Sequence, residues 1–286
     1  MKRGLSADQI EVFARDGVLF PLPALAGDEV AHYRAAFERL RARLGGSPKP
    51  AQMSQPQLHY RWAYDLATHP AVLDAVEPLL GPDILVHSAS IFAKRPHDPS
   101  FVSWHQDGFY WRLSEPRLVS AWVALADSHA ANGCMRALPG SQVAAVAHGE
   151  AFDQPHNMLA SGLHVAVPVA ESRAVDVVLR AGEMSLHHLN LIHASNPNRS
   201  PDERIGFAIR YTVPEVRQAL PHHAVVLARG RARPAGDTGH AGDAGGGHFE
   251  LLQRPPSDDL EEGLAAQEEF LRWLRRTRPE GQTGHG

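Results

Sequence analysis

The sequence predicts a mainly β protein whose core carries helices on one side, and three observations lead there. Helix signals occupy the chain up to Leu80. Short runs rich in β-branched and aromatic residues take over from Ile84. No train of alternating β and α units appears, which argues against a doubly wound parallel sheet.

The elements follow in order. Ser6 is placed to cap a first helix, with Gln9 three residues on as in a capping box, and Ile10 and Phe13 form an apolar pair one turn apart. Gly17 ends that helix, and Val18-Leu-Phe reads as a short strand. A second helix runs from about Asp28 to Leu44, because Val30, Phe37, Leu40 and Leu44 recur with a helical period; Gly45-Gly-Ser-Pro stops it. Residues 47–57 are rich in Pro, Gln and Ser and read as loop. Tyr64 to Leu80 holds one or two short helices, broken near His69-Pro70 and ended at Gly81-Pro82. The strand-like runs are Ile84 to Ala93, Val119 to Ala126, Val175 to Leu179 and Ile205 to Val213. Residues 228–247 contain seven glycines and no apolar periodicity, so they read as loop. A last, charged helix spans about 258–276, with Leu264, Phe270, Leu271 and Leu274 available to dock, and the tail after Pro279 is expected to be disordered. The whole chain, 1–286, is expected to form one domain: helical layer about 5–80, β core about 84–227, Gly-rich loop 228–247 and C-terminal helix about 258–276.

Bulk properties narrow the function classes. A hydrophobic fraction of 43%, a charged fraction of 21% and a net charge of -4 describe an ordinary globular chain. They give no electrostatic reason to expect nucleic acid or an anionic membrane surface as partner. No apolar run approaches a membrane span, and no signal peptide is apparent, so a cytoplasmic location is expected. The single cysteine, Cys134, excludes an internal disulfide framework and thiolate metal clusters. The departure is 18 histidines, which makes their placement the point to follow.

Ser103-Trp-His-Gln-Asp-Gly-Phe-Tyr-Trp places His105 and Asp107 two residues apart. On a strand those positions share a face and reach one ion. A third ligand from a distant strand completes a facial set that leaves positions open for oxygen chemistry. His193, in Leu191-Ile-His-Ala-Ser-Asn-Pro at the end of an apolar strand, suits that part best. His187 and His188 compete for it, and His187 shares the parity of His193, as ligand or as neighbour. His129, His148, His156 and His164 follow no such pattern. Two histidines and a carboxylate also suit catalytic zinc, so a metallohydrolase stays open on these residues alone. Arg204 tilts the choice toward an oxygenase. It stands eleven residues after His193, on a strand expected to run back beside that of His193, and its guanidinium fork suits a carboxylate such as C5 of 2-oxoglutarate. Arg210, on the same face by parity, competes as a grip on a substrate acid or a structural carboxylate.

Four stretches then carry a resemblance: Leu5-Ser-Ala-Asp-Gln-Ile-Glu-Val-Phe-Ala-Arg-Asp-Gly, Trp104-His-Gln-Asp-Gly, Asn132-Gly-Cys-Met-Arg-Ala-Leu-Pro-Gly-Ser, and Ala181-Gly-Glu-Met-Ser-Leu-His-His through Arg210-Tyr. In this order they resemble the phytanoyl-CoA dioxygenase family of Fe(II)/2-oxoglutarate enzymes, across roughly residues 5–215. The resemblance implies a double-stranded β-helix, or cupin-like jelly roll. It implies Fe(II) held by His105, Asp107 and His193, 2-oxoglutarate clamped by Arg204, and dioxygen as oxidant. Within the family the chain looks most like bacterial small-molecule hydroxylases of aminoalkyl-phosphonate and antibiotic metabolism. Halogenating relatives replace the carboxylate ligand by a small residue, so Asp107 points to hydroxylation. Leu189-Asn190 and the Gly-rich 236–247 insertion depart from the phosphonate-acting pattern, and the substrate stays open. Lys94 is a further candidate for 2-oxoglutarate or an acidic substrate, against the alternative of a solvated edge lysine. Trp122 is read as a wall of the co-substrate pocket or as core. Tyr110, Trp111 and Arg112, just past Asp107, are expected to touch substrate, with residues 52–59 as a lid. Asn132-Gly133 and Pro139-Gly140 shape loops, with Met135 packing below. The expected partner is a small molecule and the expected state a monomer or homodimer. Desaturation, ring closure and a non-catalytic metal-binding module remain alternatives to hydroxylation.

Overall fold

Ser6 Oγ accepts from the Gln9 N–H at 3.2 Å and Gln9 Oε1 from the Ser6 N–H at 2.9 Å, so α1 (Ala7–Asp16) opens on a reciprocal capping box. This is a computed structural model that describes residues 4–46, 48–111, 113–151, 154–159, 162–218, 224–232 and 249–277. Gly17 closes α1 in the left-handed conformation (φ 71°). β1 (Val18–Pro23) and α2 (Gly27–Arg43) follow. The loop expected over 47–57 contains two single-turn 3₁₀ segments, Pro50–Met53 and Pro56–Leu58, each opened by a proline. α3 (Arg61–Ala67) begins three residues earlier than the periodicity suggests, because a tertiary contact anchors it: Trp62 packs edge-on against Phe207, centroids 5.9 Å apart. α4 (Pro70–Leu80) starts with proline in its first turn, where a missing N–H breaks no helical bond, and the His69 ring accepts from the Ala71 N–H.

From Ile84 the chain turns to β2 (Ile84–Lys94), β3 (Val102–His105), a single helical turn α5 (Gly108–Trp111), β4 (Leu118–Ala124) and β5 (Met135–Ala137). β6 (His148–Gly149) and β7 (His164–Val165) form a small ribbon. β8 (Val175–Val177), β9 (Glu183–His188), β10 (His193–Ser195), β11 (Arg204–Thr212), β12 (Val226–Arg229) and α6 (Leu260–Thr277) complete the described fold. The order β1-β9-β4-β11-β2-β12 makes one antiparallel sheet, and β3-β10-β5-β8 a smaller one. Arg229, expected within a loop from 228 onward, is paired with Ile84 at the end of β12. The remainder of the Gly-rich stretch from 233, and the chain past 277, lie outside the described residues.

Alternation along β11 explains the layers. Ile205, Phe207, Ile209 and Tyr211 turn to the helices, where they share a core with Phe37, Leu40 and Leu66. The intervening residues turn to the smaller sheet, where Ala208 and Trp122 pack with Met135, Ala137 and Val177. The large sheet therefore lies between a helical layer and a second sheet. This is the jelly roll, and its two inner faces frame a cavity. Among the described residues, no helix is long and apolar enough to cross a membrane.

Candidate active site

β3 and β10 are antiparallel neighbours, and their register sets His193 directly opposite His105. The two rings lie 4.1 Å apart, centroid to centroid. Asp107 joins them, and the potential ligand atoms of His105, Asp107 and His193 all fall within 4.8 Å of one another, each residue buried. Two details differ from the strand-based expectation. β3 ends at His105, so Asp107 arrives through a turn rather than by strand alternation; His193 begins a strand rather than ending one. Gln106 holds that turn in place: its amide donates to the carbonyls of Ala144 (2.9 Å) and Asn190 (2.6 Å) and accepts from Val146 N–H. The Gln106 N–H in turn donates to His148 Nε2.

The histidines are oriented by their own chain. His105 Nδ1 lies 2.9 Å from the Ser103 carbonyl and His193 Nδ1 3.0 Å from that of Leu191, so each Nδ1–H is committed to the backbone and each Nε2 lone pair is left for an ion. Burial holds His193 well below the ordinary imidazole value, reinforced by His105 and only partly opposed by Asp107, which keeps the ring neutral. Burial would raise the Asp107 carboxyl, but His105, His187 and Arg210 outweigh it and hold Asp107 well below its ordinary value. His187 stands beside the cluster, its Nε2 3.7 Å from Asp107 Oδ2. His188 points elsewhere, its Nδ1 accepting from the Asn190 N–H.

A cavity of about 350 Å³ opens over the cluster, within the usual range of small-molecule sites. Arg204 lines it from the large sheet. β11 does not run beside β10, as its sequence position suggested; it pairs with β2 and β4, and Arg204 faces the histidines from the opposite sheet. Its guanidinium lies over the Trp122 ring at 5.5 Å and donates to the Gly133 carbonyl, while its Nε is buried without a partner. Gly133, read only as a turn residue, has φ 75° and abuts the Asn196 carbonyl so closely that a Cβ would lie 2.2 Å from it. Burial lowers Arg204 to about 10, opposed by Cys134 and Asp98, so it remains a cation at neutral pH. A buried arginine to which no carboxylate of the described residues is bonded fits the anionic end of 2-oxoglutarate. Two imidazole nitrogens and a carboxylate oxygen on one side of an open cavity likewise fit a divalent iron.

The other sequence candidates divide. Trp122, Tyr110, Trp111 and Arg210 line the cavity; Arg112 lies outside the described residues. Arg210 donates to Ser90 Oγ at 2.9 Å, and its guanidinium is stacked near both Phe92 and Trp111. Lys94 is not itself among the residues that line the cavity. It is fully buried, so it is not a solvated edge lysine, and it donates to Ser195 Oγ, part of the cavity wall, and to the Asn196 carbonyl. Pro50 and Met53 of the 50–58 segment line the cavity, and Ser54 bridges Ser90 of β2. Phe37, Arg41, Met158 and Leu159 also line the cavity and were not anticipated. Helical periodicity marks Phe37 as inward-facing, but nothing local distinguishes a cavity wall from a core.

Residues 13–206 match the family described as phytanoyl-CoA dioxygenase (PhyH). The chain is 27% identical to an ectoine dioxygenase of Halomonas elongata over 245 residues, 77% of this chain and 74% of that one. It is 29% identical to an L-proline trans-4-hydroxylase of Streptomyces griseoviridis over 160 residues, 50% of this chain and 59% of that one. Among solved structures, the apo form of ThoJ, a non-haem monooxygenase, superposes with a TM-score of 0.73 at 33% identity, covering 94% of this chain and 99% of the other.

Proposed function

This chain belongs to the phytanoyl-CoA dioxygenase family of Fe(II)- and 2-oxoglutarate-dependent dioxygenases, and on that premise we propose that it hydroxylates an aliphatic C–H bond of a small polar metabolite, releasing succinate and carbon dioxide. One observation carries the reading: a buried His-Asp-His cluster with ligand atoms within 4.8 Å, sharing a cavity with an arginine whose Nε lacks a partner. His105, Asp107 and His193 are the iron ligands in this reading. Arg204 holds the distal carboxylate of 2-oxoglutarate, Trp122 walls that end, and Tyr110, Trp111 and Arg210 meet the substrate.

When bound, the iron supplies dioxygen activation coupled to decarboxylation of 2-oxoglutarate. The chain's own work is orientation and charge. Ser103 and Leu191 carbonyls fix the imidazoles, Asp107 contributes the negative charge, and the apolar walls around Met53, Met158 and Leu159 keep bulk water from the reacting centre. A carboxylate in the ligand set supports hydroxylation over halogenation. The names of the ectoine and proline enzymes support a small polar substrate.

The test is succinate release from 2-oxoglutarate, combined with a mass-spectrometric screen of small polar metabolites. Turnover should require Fe(II) and vanish in His105→Ala. Arg204→Ala should raise the KM for 2-oxoglutarate by about tenfold or more, the loss expected for a charge-assisted pair, while metal binding persists. A product heavier by one oxygen atom supports hydroxylation; one lighter by two hydrogens replaces it with desaturation or ring closure. Metal binding without any 2-oxoglutarate turnover would leave a non-catalytic module.

A further inference from the structure

The two oxygens of Asp107 meet different surroundings. Oδ1 lies 3.4 Å from His105 Nε2, on the side where the potential ligand atoms converge. Oδ2 faces Ser120 Oγ at 3.3 Å, His187 Nε2 at 3.7 Å and Arg210 Nε at 4.0 Å. These three side chains come from three adjacent strands. In the register of the large sheet, Ser120 on β4 stands opposite both His187 on β9 and Arg210 on β11. They form one row across the inner face, and each is at least nine-tenths buried. Among the described residues, His187 Nδ1 has no hydrogen-bond partner, and the ring lines the cavity.

We infer that His187, backed by Ser120 and Arg210, is a positioning residue that holds Asp107 Oδ2, so that the aspartate meets the metal through Oδ1 alone. The inference rests on the metal centre read above. A carboxylate free to turn chelates with both oxygens and fills a second coordination position, one that the co-substrate or dioxygen needs. A polar row fixed to three paired strands opposes that turn, and its pull is strengthened by the burial of all three side chains. His187 Nε2 faces Asp107 Oδ2 at 3.7 Å, so His187 acts through Asp107 rather than as a ligand.

The test needs no substrate. Mn(II) is titrated calorimetrically into metal-stripped wild type, His187→Ala, His187→Gln and Asp107→Ala, and the visible absorption of the Co(II) forms is compared as a report of coordination number. His187→Ala should weaken Mn(II) binding by about 10- to 100-fold, the usual effect of removing a side chain that supports a metal ligand. Its Co(II) bands should lose intensity as the carboxylate becomes bidentate. His187→Gln keeps an N–H donor, should recover most of both signals, and keeps the question answerable if the alanine variant folds poorly. Wild-type affinity and an unchanged Co(II) spectrum in His187→Ala and His187→Gln alike would overturn the inference and leave the centre standing. Mn(II) binding absent from wild type, or indifferent to Asp107→Ala, would overturn the centre itself.

Discussion

Lys94 Nζ donates to Ser195 Oγ at 2.7 Å and to the Asn196 carbonyl at 2.5 Å, with the whole side chain out of solvent. Burial, and then the neighbouring Arg204 charge, lower its pKa to about 6, only partly opposed by Asp98 and Cys134. The sign of the pH effect follows. Between about 6 and the ordinary 10.5, the unfolded chain keeps a proton that the native lysine has lost, so stability rises with pH across that window. Thermal melts from pH 6 to 10 should show wild type gaining relative to Lys94→Met; parallel curves would mean that the buried lysine stays charged. Gly206 is a second residue whose role only its neighbours reveal. A Cβ there would lie 1.8 Å from Trp122 Cζ2, so the indole crosses β11 over a bare backbone. Gly206→Val should lower stability by about 1–3 kcal/mol through overpacking and, by moving the ring beneath Arg204, raise the KM for 2-oxoglutarate. Denaturant unfolding and a 2-oxoglutarate titration read the two effects.

Among the elements, α6 joins the site from a distance. Tyr60 Oη–H donates to Gln267 Oε1 at 2.9 Å, and Gln267 Nε2 donates to the Gln52 carbonyl at 2.7 Å. Phe270 is buried beside the His59 ring. The helix thus holds the segment whose Pro50 and Met53 wall the cavity. Gln267→Leu leaves the Tyr60 hydroxyl and the Gln52 carbonyl unpaired, at about 1–3 kcal/mol for each group that stays buried. Hydrogen exchange should quicken in 50–58 while β11 stays protected; equal protection in the variant would make the helix a passive cover. The elements also differ in how far they were legible. The capping box of α1 is a pattern of four adjacent residues and is readable as such. β6, β7 and β10 are two or three residues long, too short for alternation to register, and exist because partner strands pair with them.

At the scale of the molecule, the cavity gathers buried ionic groups, with Asp107, Arg204 and Arg210 all in its lining. Among the described residues no carboxylate is bonded to Arg204, and Asp107 is held ionised among buried neighbours. Ligands that bind only the folded state should therefore stabilise it, by about 2.7 kcal/mol at a hundred times Kd. Mn(II), which avoids turnover, should raise Tm; 2-oxoglutarate should add to that rise only when metal is present, and a chelator should reverse both. Arg204→Ala should keep the metal increment and lose most of the 2-oxoglutarate increment, as read by calorimetric melting.

Side chains read along the chain specify the kinds of group available: two histidines and an aspartate suited to one ion, two arginines on one strand face, and a helical N-terminal part before a β-rich remainder. Those follow from side-chain chemistry and from periodicities of 3.6 and 2, which are local. Which groups meet depends on strand pairing and on the packing of the two sheets. His193 sits opposite His105 because β10 pairs with β3, Arg204 faces them across the sandwich, His187 stands behind Asp107, and Lys94 is bound to Ser195. Alternation assigns a side chain to a face of its strand; it does not specify the neighbouring strand, the register or the sheet opposite, and these arise from contacts between residues far apart in the chain.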